Sequence, residues 1–204
     1  MVRLPQIRKT LGYYLAEPVV RFLAIIPISP NALTWLGFFL IVGAAALIAT
    51  GHLLAAAFTV LFASFFDILD GALARRTNRT TRFGGILDST LDRLSDGVLL
   101  LGILVLFVLT EEQSVLFTML AREWAILLVF VALLGSLLVS YIRARAEAAG
   151  LECQVGLFTR AERVVVLVLG LFLNQIVIAL AIIAAFSFIT AGQRLVYVWQ
   201  RAKD

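Results

Sequence analysis

The sequence predicts an all-α integral membrane protein, and three observations carry that prediction. Of the 204 residues, 62% are hydrophobic, with a mean hydropathy of +1.02; a soluble domain stays near half apolar. Apolar runs cover 33–50, 53–66, 98–109, 125–142 and 164–190, reaching or approaching the roughly 20 residues a spanning helix needs. No period-two alternation runs through them, which argues against a membrane β-barrel.

The elements follow in chain order. Residues 4–22 place Ile7, Leu11, Leu15, Val19 and Phe22 at helical spacing, with Arg8, Lys9, Glu17 and Arg21 on other faces. They read as an amphipathic helix lying at the membrane interface. The segment before it is polar and basic, without the order of a cleaved signal. Pro30-Asn31 then punctuates the chain and opens a helix, with Asn31 as a candidate cap. Six spans are expected, at about 31–50, 53–74, 84–108, 124–142, 160–173 and 176–198, with boundaries good to roughly 2–4 residues. Only Asn174-Gln175 divides the last two. The domain plan is therefore an N-terminal cytoplasmic segment, 1–29, followed by a six-helix transmembrane domain, 30–204.

Charge sets the expected orientation. With a cytoplasmic N-terminus, Arg3, Arg8, Lys9, the basic loop 75–82, the segment 143–163, Arg201 and Lys203 all lie inside. The opposite face holds only 51–52, 110–123 and 174–175, where Arg122 is the one basic residue. This asymmetry obeys the positive-inside rule and puts both termini in the cytoplasm of a multi-pass cell-membrane protein. The net charge of +4 thus belongs to loops that meet anionic lipid headgroups rather than to a nucleic-acid interface. One cysteine, Cys153, excludes an internal disulfide and a cysteine-built zinc site. The single histidine, His52, sits in a short turn and gives little basis for a Ser-His-Asp relay.

Charged side chains inside spans default to function. Five of the six aspartates fall in one window: Asp67 and Asp70 near the end of span two, Asp88, Asp92 and Asp96 near the start of span three. Spacings of three and four keep each set on one helical face. A short loop makes the two spans antiparallel neighbours, so the acids face each other near the cytoplasmic surface. Carboxylates crowded at low dielectric need counter-charge. Hard oxygen ligands without His or Cys point to magnesium or manganese. Two such ions roughly 3.5–4 Å apart clamp a phosphate or diphosphate for in-line attack. The alternative is a set of ion pairs, with Arg75 and Arg93 neutralising some of the acids. Gly71, Ala74, Gly84 and Gly85 leave backbone bare for helix packing or for a ligand. Arg75, Thr81 and Arg82 stand at the mouth, where a diphosphate needs donors. No P-loop or dinucleotide glycine motif occurs.

The run Asp67-x-x-Asp70-Gly71-x-x-Ala74-Arg75, eight residues, Gly84, three residues, Asp88, three residues, Asp92 matches every fixed position of a known signature. It resembles the CDP-alcohol phosphotransferase family. The resemblance implies a six-span homodimer that binds a CDP-linked donor, here CDP-diacylglycerol, with magnesium or manganese. It implies Asp67, Asp70, Asp88 and Asp92 as ligands of two metal ions, and Asp92 as the base that deprotonates the acceptor hydroxyl. Asn31, Thr34, Asp67, Gly71, Ala74, Arg75, Thr81 and Gly84 are the expected contacts of the CDP-linked donor, and Asn31 serves equally well as a helix cap.

Arg143, Arg145, Arg160, Arg163 and Arg194 gather at the cytoplasmic ends of the last three spans. Guanidinium forks suit phosphate oxygens, which favours a phosphorylated polyol acceptor over choline. The runs 140–150, 159–163 and 193–195 are further similar to the bacterial phosphatidylinositol phosphate synthases. That likeness implies an acceptor-phosphate site at Arg143, Arg163 and Arg194, with inositol phosphate as acceptor. Arg143 stands where lysine is expected and Ala161 where proline is common. Glycerol 3-phosphate is the alternative acceptor; a cation transporter lined by the acids is the alternative of another class. Asp96 is left outside the metal site, orienting Arg93 or its neighbours.

Overall fold

Helix starts and stops follow local chemistry closely. The computed structural model describes residues 20–21, 28–110 and 120–202, and among them every regular element is helical. Ser29 caps the first long helix, α1 (Pro30–Ala49), by accepting from Ala32 N at 3.2 Å, and Pro30 supplies the pre-set φ of a first helical residue. The turn at Gly51, in left-handed conformation, reverses the chain into α2 (Leu53–Arg76). Thr81 caps α3 (Arg82–Leu109) through Gly84 N at 2.9 Å. Then come α4 (Arg122–Ala148), α5 (Arg160–Phe172) and α6 (Ile176–Arg201). A capping box of Thr159 and Glu162 starts α5, where Thr159 N donates to Glu162 Oε2 at 2.8 Å.

Six helices of the described residues coincide in position with the six expected spans, and Asn174-Gln175 separates α5 from α6. Four of them, α1, α2, α4 and α6, are long and apolar enough to cross a membrane. With 13 residues, α5 is about 20 Å long at 1.5 Å per residue, and α3 carries Asp88, Asp92 and Asp96 within its first 15 residues. The expected interfacial helix falls outside the described residues except for Val20 and Arg21, which are helical. Val20 is buried against Leu33, Leu69, Ala72 and Leu73, so that point of the segment docks on the start of α1 and the end of α2.

Packing divides the helices into two groups. The first is α1 against both α2 and α3; the second is α4 against α6, with α5 on α6. The pairs α3–α4 and α2–α5 join them. Small residues make the close crossings. Ala44, Ala56, Ala57 and Ala132 are buried in the main core with Ile48, Val60, Ile103, Phe107 and Leu180. At Gly102 of α3 the backbone of α1 comes so near that a Cβ would sit 2.5 Å from Ala45 O. Helices surrounded by hydrocarbon associate through such backbone approach, since lipid gives them no hydrophobic drive. The outward face carries Phe39, Phe58, Phe62, Phe130 and Trp124, all more than half exposed. A patch of that kind on a water-soluble surface would be a liability, and against acyl chains it is the ordinary solvent-facing side.

Candidate active site between two cavities

Helical spacing puts the aspartates where the sequence predicts, on facing stretches of α2 and α3. Asp70 is 5% exposed. Its Oδ1 accepts from Gly71 N at 2.5 Å, while its Oδ2 is buried with no hydrogen-bond partner among the described residues. Asp67, Asp88, Asp92 and Asp96 are half-buried.

Two cavities flank this cluster. The smaller, about 200 Å³, is lined by Asn31, Thr34, Asp70, Gly71, Ala74, Arg75, Thr81, Gly84 and Asp88, among others. Every expected donor contact except Asp67 is therefore on its wall. Ser29, not Asn31, caps α1. The Asn31 side chain instead reaches across to α3: a Cβ on Gly84 would meet Asn31 Oδ1 at 3.3 Å and Thr81 Oγ1 at 3.0 Å. Arg75 lies over the bare backbone of Gly71, its Nη1 3.3 Å from where a Cβ would stand. Thr34 Oγ1 donates to Pro30 O at 3.2 Å.

The larger cavity, about 570 Å³, holds Asp88, Asp92, Asp96, Arg93, Arg143, Glu147, Arg160, Arg163 and Arg194. The two cavities share Gly85 and Asp88. Arg143, Arg163 and Arg194 all line the larger one, but their donors are differently engaged. Arg143 Nε holds Glu147 Oε1 at 2.7 Å, an exposed pair one turn apart. Arg194 is 3% exposed. Its Nε donates to Val155 O at 2.9 Å and its Nη1 to Val139 O at 2.5 Å, so it ties the 151–159 loop to α4. Arg163 Nη2 pairs with Asp96 Oδ2 at 2.7 Å, while its buried Nε and Nη1 have no partner among the described residues.

The counter-charge of the aspartates differs from the expected one. Arg75 and Arg93 neutralise none of them among the described ion pairs; Arg93 donates to the carbonyl of Ser89 on its own helix. Arg160 does so instead. Its Nη1 stands 2.5 Å from Asp67 Oδ2 and 2.7 Å from Asp92 Oδ1. Asp96 orients Arg163 rather than Arg93. The sequence places Arg160 among the basic residues of the mouth but gives no sign of its part in the acid cluster. Its contact with Asp67 joins residues 93 apart, and helical periodicity carries no such signal.

The donor set suits a hard divalent cation: carboxylates only, one of them with a buried oxygen that lacks a donor among the described residues. Among the described residues no three acidic side chains converge on one point. The Arg160 guanidinium lies between two of them, so the acids stand apart around a cation that the protein itself supplies.

Fold and site together define a helical membrane protein with a carboxylate-rich centre between two cavities at one membrane face. A family model described as CDP-alcohol phosphatidyltransferase matches residues 27–192, and the chain belongs to that family. It is 40% identical over 184 residues to the archaetidylinositol phosphate synthase of Methanothermobacter thermautotrophicus, covering 87% of each chain. It also superimposes on two crystal structures of Mycobacterium tuberculosis phosphatidylinositol phosphate synthase. The one with CDP-DAG bound gives a TM-score of 0.79 at 33% identity, over 91% of this chain and 94% of that one. The one with manganese and citrate gives 0.79 at 33% identity, over 90% and 88%.

Proposed function

We propose that the chain transfers the phosphatidyl group of CDP-diacylglycerol to a hydroxyl of inositol phosphate, giving phosphatidylinositol phosphate and CMP. The observation that supports a phosphorylated acceptor best is Arg163. Two of its nitrogens, Nε and Nη1, are buried beside the larger cavity without an acceptor among the described residues. Leaving charged donors so placed is costly unless a ligand completes them, and a phosphate does so in the bidentate geometry a guanidinium favours. The names of the M. tuberculosis and M. thermautotrophicus relatives agree on the inositol phosphate headgroup and differ in the lipid.

In this reading Asn31, Thr34, Gly71, Ala74, Arg75, Thr81 and Gly84 hold the CDP part of the donor in the smaller cavity. Asp67, Asp70, Asp88 and Asp92 would hold two magnesium or manganese ions, whose charge polarises the diphosphate and stabilises the departing CMP. Arg143, Arg163 and Arg194 fix the acceptor phosphate, Arg194 mainly by keeping the loop and α4 in place. Asp92, on the wall of the acceptor cavity, takes the proton of the attacking hydroxyl. The new P–O bond forms to the acceptor oxygen as the bond from phosphorus to the CMP oxygen breaks. Holding the reactants on either side of Asp88 supplies proximity that two molecules in water lack.

The cavities and both termini face the cytoplasm of a cell membrane, and the working unit is a homodimer. The arginines support the sidedness, since nearly all cluster at one set of helix ends. The test is CMP release by the purified chain with magnesium, given inositol phosphate, free inositol or glycerol 3-phosphate side by side. Release should be fastest with inositol phosphate. Equal rates with free inositol would overturn the phosphate reading, and a preference for glycerol 3-phosphate would make that the acceptor. No release with any acceptor would remove the transferase reading and reopen an ion path through the acids.

A further inference from the structure

Arg160 stands at a junction that the proposed reaction does not explain. It is the first residue of α5, whose start is fixed by the Thr159–Glu162 capping box and, one turn on, by the Arg163–Asp96 pair. The backbone there is anchored, but the side chain is long and a quarter exposed. One nitrogen, Nη1, bridges Asp67 of α2 and Asp92 of α3, the gap any cation shared by those two carboxylates must enter. The Nε has no hydrogen-bond partner among the described residues and lies 3.7 Å from Asp96 Oδ1. The same residue lines the larger cavity with Arg143, Arg163 and Arg194.

A guanidinium and a divalent ion cannot both occupy the Asp67–Asp92 gap. Nor can a half-buried arginine be expelled from two carboxylates without an anion to receive it. The cavity beside it is where the proposed acceptor phosphate would sit, and Arg163 lines it with donors that have no partner among the described residues.

We propose that Arg160 is the resident counter-ion of the metal-free acid cluster, and that it exchanges sites during loading. It yields the Asp67–Asp92 gap to the divalent ion and turns its guanidinium onto the acceptor phosphate. The side chain thereby couples the two binding events: each ligand strengthens the other, because each favours the same position of one arginine. This inference rests on the reading of the aspartates as the metal site.

The experiment measures manganese affinity, not turnover, by electron paramagnetic resonance of free Mn²⁺ with the full purified chain. The proteins are wild type, Arg160→Lys, Arg160→Gln and Asp70→Asn, with and without myo-inositol 1-phosphate or inorganic phosphate. In the wild type, inositol phosphate should tighten manganese binding about ten-fold, within the usual span of coupling energies. Arg160→Gln should bind manganese about ten-fold more tightly without phosphate and lose the phosphate effect to below about two-fold. Arg160→Lys keeps the charge without the fork and should lie between, which keeps the test open should the glutamine variant not fold. Tighter manganese binding with an undiminished phosphate effect is the result of plain charge repulsion, and it would overturn the exchange. So would unchanged manganese affinity in both Arg160 variants. An Asp70→Asn protein that binds manganese like the wild type would remove the metal site itself, and the proposal with it.

Discussion

The proposed reaction turns on the side chains of Asp92 and Arg163. Asp92 sits on the cavity wall beside an arginine that can neutralise it, and replacement by asparagine keeps its shape while removing its basicity. Asp92→Asn should lower turnover at least about 100-fold, the lower end of what a positioned base contributes. CDP-diacylglycerol binding, followed by titration, should stay within about two-fold. Arg163 needs a milder change, because its Asp96 partner would otherwise be left unpaired. Arg163→Lys keeps that charge and gives up the fork; KM for inositol phosphate should rise about ten-fold, with KM for the donor unchanged. An equal rise in both would place Arg163 in general support of the bundle instead.

Backbone approach decides the next level. The α1–α3 crossing brings Ala45 against Gly102, and a methyl there would strike backbone atoms on a helix that cannot yield. Gly102→Ala should lower stability by about 1–3 kcal/mol, the usual cost of overpacking, read as an earlier thermal transition in detergent. Gly97, on the same helix, has nothing within 4 Å of a built Cβ. Gly97→Ala should leave the transition unchanged or raise it, since alanine gains up to about 1 kcal/mol over glycine in a helix. The contrast separates a packing effect from a helix-propensity effect. Helix caps act at the same scale: Ser29 takes the capping task at α1, and this leaves Asn31 to reach Gly84 across the cavity.

For the molecule as a whole, the acids lie where two helix groups meet, α2–α5 on one side and α3–α4 on the other. In the proposed reaction a cluster so placed is both a joint and a reaction centre. Chelation with EDTA should abolish CMP release, and added manganese or magnesium should restore it. The chain should stay folded meanwhile, because Arg160 still bridges Asp67 and Asp92. Circular dichroism before and after chelation checks the second half of that expectation. Loss of helicity on chelation would show that Arg160 is no adequate substitute.

By itself the sequence determined the helix set, the membrane environment, the facing aspartates and the wall of the smaller cavity. Those features are local. Apolar run length sets the spans, steps of three and four set the faces, and a five-residue loop (77–81) between α2 and α3 forces them together. Asn31 and Thr34 follow by resemblance, and their place on that wall agrees with it. Tertiary structure alone decided how the arginines are used. Their types and positions mark a basic mouth, but no spacing rule says that Arg194 binds backbone carbonyls, that Arg163 takes Asp96, or that Arg160 enters the acid cluster. Those pairings depend on α5 packing against α2 and on the 151–159 loop folding over α6. Contacts between residues far apart in the chain arise from helix docking, which local periodicity does not encode.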